Sequence, residues 1–296
     1  MKTKILLLMA CWVGLTTISQ AQEDSLSWDL SLSDLMDITI ASATKSEVRQ
    51  IETPQAVTVI TSRDIERIAA NNLGELLRGV VGMNVVRIHS SQNVVTSRGA
   101  NAFSPSKLLI LIDGQPITPT VFSATWYELL PIAMNDIERL EIIRSPGTIY
   151  GASAENGVIN IISKKATDDG LKVDAQLAYG QQSMMNGGLA IYGKANKLSY
   201  RISGGIYTMD PYTNTEVLET VPGKPIDHGE QHFDNKKMLN TSTVNAALTY
   251  KLDNGAIALN AGSNFIGNAQ GRIPDRLCFI DIEGNVAFAN VGYIYI

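Results

Sequence analysis

The chain has 296 residues, 45% of them hydrophobic, with 24 Lys and Arg against 29 Asp and Glu. That length allows one or two domains. The mild acidity excludes a nucleic-acid binder, because no basic patch is dense enough to neutralise several phosphates.

Residues 1–21 carry Lys2 and Lys4, an apolar run Ile5–Leu15 and a small-residue site Ser19-Gln20-Ala21 before Gln22. This is the anatomy of a secretory signal. A lipoprotein reading through Cys11 is disfavoured, since Met9 fits that cleavage site poorly. Cleavage leaves Cys278 without an intrachain disulfide partner. No later stretch of about 18 uncharged apolar residues occurs, so any membrane crossing must use strands.

Residues 22–52 are polar and weakly periodic and read as an extended, partly mobile arm. From Pro54 the texture becomes α/β. Ala56–Ile60 is a β-branched strand, Thr61 or Ser62 caps a helix over 63–70, and Asn72 caps a second around Leu73–Arg78, closed by Gly82. Strands are predicted at Asn84–Ile88, Asn93–Ser97 and Leu108–Ile112, the last ending in the tight-turn pair Asp113-Gly114. Two more, Arg139–Arg144 and Val158–Ser163, flank a Gly-, Ser- and Pro-rich excursion.

After about Asp169 the period switches to strict alternation. Val173, Ala175, Leu177 and Tyr179 alternate with Lys172, Asp174, Gln176 and Ala178, as in a strand with one lipid face and one wet face. Leu189 and Ile191 continue the pattern. After a turn at Ala195-Asn196 come Leu198, Tyr200 and Ile202, then Val244, Ala246, Leu248 and Tyr250, then Asp253-Asn254-Gly255, and finally Ile257, Leu259 and Ala261. A long polar segment separates Tyr207 from Leu239, so short turns on one side oppose a long loop on the other, the asymmetry of outer-membrane barrels. A soluble β-sandwich also alternates, and the rival reading is a secreted α/β binding module with a β-sandwich tail.

Sites for chemistry are weak. His228 and His232 stand at i, i+4 beside Asp227 and Asp234, but Gly229 and Pro225 disfavour the helix that would align the rings, so no metal ligand is assigned. Gly151-Ala152-Ser153-Ala154-Glu155 lacks the final glycine of a nucleophile elbow, and Gly147 and Gly151 lack the Lys-Ser or Lys-Thr of a phosphate loop. No enzyme activity and no cofactor are expected.

Five segments taken together resemble the plug of TonB-dependent receptors, in that family's order and spacing: Thr53–Thr61 (TPQAVTVIT), Leu76–Met83 (LLRGVVGM), Ser97–Gly99 (SRG), Leu109–Pro116 (LILIDGQP) and Asp136–Ser163. The resemblance covers about residues 30–165; Ser145 departs from it, standing where the family commonly has Gly between Arg and Pro. It implies an α+β plug domain (53–165) followed by the first antiparallel strands of an incomplete transmembrane β-barrel (170–296), in the outer membrane of a Gram-negative bacterium. It also implies active uptake of a small nutrient, such as a ferric siderophore, haem or cobalamin, driven by the TonB energy-transducing complex. A barrel of about 22 strands is wide enough to leak unless a folded domain fills it.

In the arm, Asp37, Ile38, Thr39, Ile40, Ala41, Ser42 and Ala43 have the acidic, Thr and β-branched character of the family's TonB box, and an extended, unpaired strand is what β-augmentation needs. Arg98, Glu138, Arg139, Glu141 and Arg144 are charges among apolar plug segments and are the expected plug–barrel contacts; the bland alternative is solvated strand edges. A signalling transducer would carry a further folded domain before the plug, for which the arm is too short. At about 10 residues per tilted strand, residues 170–296 supply five or six strands, so the chain is expected to be a fragment or an interrupted product.

Overall fold

The computed structural model describes residues 39–40, 48–49, 52–53, 55–68, 70–89, 92–97, 108–117, 120–121, 124–145, 150–151, 154–166, 169–210, 239–273 and 278–295. The predicted signal segment 1–21, Asp37, Ile38, Ala41, Ser42, Ala43, Arg98, His228 and His232 lie outside the described residues.

A two-residue strand pair, β1 (Thr39–Ile40) and β2 (Val48–Arg49), precedes β3 (Val57–Thr61). Helix α1 (Ser62–Ile68) follows at once, because Thr61 and Asp64 form a reciprocal cap. The Asp64 amide donates to Thr61 Oγ1 at 3.3 Å, and the Thr61 amide donates to the Asp64 carboxylate at 2.9 Å. Asn72 caps α2 (Leu73–Leu77), accepting from the Glu75 amide at 3.0 Å, while the Glu75 carboxylate accepts from the Asn71 amide at 2.9 Å. Gly82, at φ +82°, turns the chain into the hairpin β4 (Met83–His89) and β5 (Gln92–Ser97). Next come β6 (Leu108–Ile112), β7 (Gln115–Pro116) and the small hairpin β8 (Thr120–Val121) and β9 (Ala124–Thr125). Two 3-10 turns follow, η1 (Tyr127–Leu129) and η2 (Met134–Asp136), and then β10 (Ile137–Ile143) and β11 (Gly157–Ser163).

The sheet order is β3-β10-β11-β6-β7, with β11 and β6 parallel and the other pairs antiparallel. Every residue of β6 is buried, because the sheet is covered on both faces. Leu108, Ile110 and Ile112 join the larger core with Leu73, Leu76, Leu77, Leu140 and Ile159. Leu109 and Leu111 join a smaller one on the opposite face, with Ile40, Ile143, Ala154 and Val158. Double coverage is why this strand reads as a continuous apolar run instead of an alternation.

The second sheet runs β12 (Gly170–Tyr179), β13 (Met185–Ala195), β14 (Leu198–Met209), β15 (Leu239–Leu252), β16 (Gly255–Ile273) and β17 (Cys278–Tyr295), each antiparallel to the next. Its register puts Val173, Leu189, Ile202, Val244, Leu248, Leu259 and Val291 on one exposed face. The opposite face carries Asn186, Arg201, Ser203, Thr241, Thr243, Asn245 and Asn264, all buried. Apolar outside and polar inside is the reverse of a water-soluble sandwich, and it is what a strand wall between lipid and a filled lumen requires. Tyr179, Tyr250 and Tyr293 stand exposed towards strand ends, where an aromatic girdle lies.

Candidate functional site

The arm segment is not the free strand its sequence suggests. Thr39 and Ile40 pair with Arg49 and Val48, and Ile40 is 0% exposed, packed into the smaller core of the plug sheet. β-branched residues in a polar arm bury wherever a sheet face offers apolar contact, and burying one isoleucine is worth about 1.5–3 kcal/mol. A partner strand that captured this segment would therefore have to strip it from the plug.

The plug meets the wall along the segment from Trp126 to Asp136, in two tiers. In the lower tier η2 lies against two wall glycines. A Cβ built on Gly188 would come within 2.1 Å of Asn135 Oδ1, and one on Gly205 within 2.8 Å of the Ala133 Cβ. At Gly205 only bare backbone lets the turn approach so closely, whereas at Gly188 the neighbour is the end of the Asn135 side chain. Asp136, 0% exposed, lies 3.3 Å from Arg201, itself 6% exposed on β14, and accepts from the Ser203 hydroxyl at 2.6 Å. The Lys164 amide donates to the Asp136 carbonyl at 2.9 Å, while the Lys164 ammonium pairs with Asp174 on β12. Burial outweighs the pull of Arg201 and lifts the Asp136 carboxyl to about 6. Removing one partner from such a buried pair costs about 3–5 kcal/mol, because the other charge is stranded.

In the upper tier the contact is apolar. Trp126 and Leu129 are buried among Met184, Met209, Leu239, Ile266 and Ala269 of the wall. Two amides fix the tiers in register: Asn186 donates to the Asn71 carbonyl at 2.7 Å, and Asn264 to the Leu130 carbonyl at 3.4 Å.

The predicted contact charges are used differently. Glu138 is exposed on β10. Arg139 pairs with Glu141, two residues along the same strand face, at 2.9 Å, and Arg144 donates to the Val81 carbonyl at 2.7 Å. These bonds stay inside the plug. Residues that do reach the wall, among them Asn135, Asp136 and Lys164, and their partners Asp174, Gly188, Arg201, Ser203 and Gly205, were missed. One signal existed: Arg201 is the one cation of β14 and stands on its inward-facing set between Ser199 and Ser203, and such a charge needs a lumen partner. Among the described residues no group of three or more His, Cys, Asp or Glu is arranged to hold a metal ion.

A small α/β domain seated on the polar face of a strand wall whose other face is apolar is a plug lying against the inside of an outer-membrane barrel. Residues 49–158 match the family described as TonB-dependent Receptor Plug Domain. The chain is 28% identical over 229 residues to the ferric enterobactin receptor of Pseudomonas aeruginosa, covering 69% of this chain and 29% of that one. It is 29% identical over 153 residues to the vitamin B12 transporter BtuB of Vibrio cholerae, covering 50% of this chain and 24% of that one. Among solved structures, the pyoverdine outer membrane receptor FpvA from Pseudomonas aeruginosa superposes with a TM-score of 0.58 at 22% identity, over 77% of this chain and 30% of that one. The siderophore receptor PirA from the same organism gives 0.51 at 23% identity, over 73% and 36%. The chain thus spans less than a third of the length of these two relatives. It carries the plug domain and barrel strands of a TonB-dependent outer-membrane receptor of a Gram-negative bacterium.

Proposed function

We propose that the protein takes up a scarce nutrient across the outer membrane, an iron chelate or a corrinoid, using energy delivered by the TonB complex. The observation that carries this reading is the plug itself, a folded domain held against the polar inner face of the wall by Asp136, Arg201 and Ser203. A domain in that position obstructs a lumen, and obstruction has a use only if it can be relieved on demand. The names of the relatives, a ferric enterobactin receptor and a vitamin B12 transporter, support the substrate class.

In this reading residues 37–43 are the coupling segment. TonB adds to it as a strand, and tension draws Ile40 out of the smaller core, uncovering Leu109, Leu111 and Val158. Signal segment 1–21, arm 22–52, plug 53–165 and barrel strands 170–296 then divide the work as export, coupling, closure and membrane anchorage. The test is uptake and surface binding of radiolabelled ferric catecholate and of cobalamin by cells making the protein. Both Ile38→Pro and Ile40→Pro are expected to abolish energised uptake of one of these while its surface binding persists. Full uptake in Ile38→Pro would remove the segment from this role.

A further inference from the structure

Between the two tiers of the seam lies one acid that neither tier uses. Glu128, in η1, is 7% exposed. Its Oε1 accepts from the Asn93 backbone amide at 3.1 Å and from the Asn93 side-chain amide. Asn93 also donates to Asn72 Oδ1 at 3.3 Å, and it is wedged against Gly74, where an added Cβ would come within 2.8 Å of it. The other carboxyl oxygen, Oε2, is buried with no hydrogen-bond partner among the described residues. Glu128 and Asn72 line a pocket of about 50 Å³ that is shared with the wall residues Asn186, Tyr207, Thr241 and Thr243.

An ionised carboxylate here would bury a charge without a cation in contact. Among the described residues the cation that acts on it, Arg87 on β4, is paired with Glu75 of α2. Among the described residues, the other titratable groups lining the site are the Tyr127 and Tyr207 hydroxyls, and a tyrosine is ordinarily neutral at physiological pH. A protonated carboxyl is different: Oε1 still accepts both Asn93 donors, and the buried Oε2, which has no hydrogen-bond partner, carries no charge.

We propose that Glu128 holds its proton while the plug is seated, and that losing this proton loosens the contact between the 126–130 segment, the β4–β5 hairpin and the wall. The inference concerns plug seating and does not depend on which nutrient is carried. Burial, opposed by the residue's own backbone amide, by the Asn93 bonds and by Arg87, lifts the carboxyl to about 7, in agreement with the geometry. The sign follows from linkage. A carboxyl raised in the seated state favours seating fully below its ordinary value of 4.5, and that advantage fades as pH rises through about 7. The upper tier is thus held more firmly in acid than in mild alkali.

The experiment is amide exchange on the whole chain in detergent, corrected for intrinsic rates, in the unsubstituted protein and in Glu128→Gln. Protection at residues 92–97 and 127–130 is expected to fall about tenfold or more between about pH 5 and about pH 8 in the unsubstituted protein, and to stay constant in the glutamine variant. Equal pH dependence in both proteins, or none in either, overturns the proposal. Should the variant fail to fold, a carbon-13 titration of the Glu128 carboxyl in the unsubstituted protein decides it. A midpoint near neutrality upholds the assignment, and one in the ordinary glutamate range refutes it.

Discussion

Arg201 stands 3.3 Å from Asp136, joining the third strand of the wall to the turn that leads into β10 of the plug, with both side chains almost wholly out of solvent. The two residues are 65 positions apart, and together with Ser203 they hold the lower tier of the seam. Arg201→Ala strands the Asp136 carboxyl and is expected to destabilise plug seating by about 3–5 kcal/mol at neutral pH. Asp136→Asn in the same background should recover part of that loss, since it removes the stranded charge. Urea unfolding in detergent, followed by tryptophan fluorescence from Trp126, measures both. Additive losses in the double variant would show that the pair does not act as a unit.

Asp136 also sets a pH dependence. Its carboxyl, ordinarily at 3.8, is lifted to about 6, so its share of seating stability is whole below the ordinary value and is lost as pH rises through about 6. The loss is on the order of 2–3 kcal/mol. Titrating seating stability from about pH 4 to about pH 7.5 should give a decline that Asp136→Asn flattens; an unchanged slope would assign the titration elsewhere.

Much of this fold could be read directly. The caps at Thr61 and Asn72, the Asp113-Gly114 turn and the alternation of β12 to β16 are local signals, set by period and by residues that satisfy their own backbone. The seam was not legible. Its contacts depend on how the plug is rotated within the wall, and no periodicity in either partner encodes that angle. Arg139 and Glu141 show the difference: residues two apart on a strand share a face, so their pairing is written in the spacing, whereas Asp136 and Arg201 meet only after both sheets are built. The burial of Ile40 escaped for a related reason, because a polar arm gives no sign of the hydrophobic face on which that residue will rest.

Gly205 should be intolerant of a side chain because the plug touches it, whereas a wall glycine on the lipid face with open neighbours should not be. Gly205→Val forces a collision with the Ala133 methyl, which has nowhere to move, and is expected to cost about 1–3 kcal/mol or more and to open the plug to trypsin. Gly187→Ala, on the lipid face with its nearest neighbours at 3.4–3.5 Å, should leave both stability and protease resistance unchanged. Equal sensitivity of the two sites would mean that the plug does not rest on Gly205.

Ile40→Ala removes most of a fully buried side chain from the smaller core and is expected to cost about 2–5 kcal/mol. Hydrogen exchange should quicken first at Leu109, Leu111 and Val158, which share that cluster, and only later at Leu76 and Leu140 in the larger one. Uniform quickening across both cores would indicate that the two faces of the plug sheet open together.

The most direct measurement of the seated plug is a disulfide between Asn135→Cys and Gly188→Cys, made in a Cys278→Ser background and read by mass spectrometry of the outer-membrane protein. The contact between these two positions predicts near-complete cross-linking under mild oxidation, with the turn Met134–Asp136 bound covalently to the second wall strand. Two thiols that stay separately alkylatable would contradict the seated arrangement.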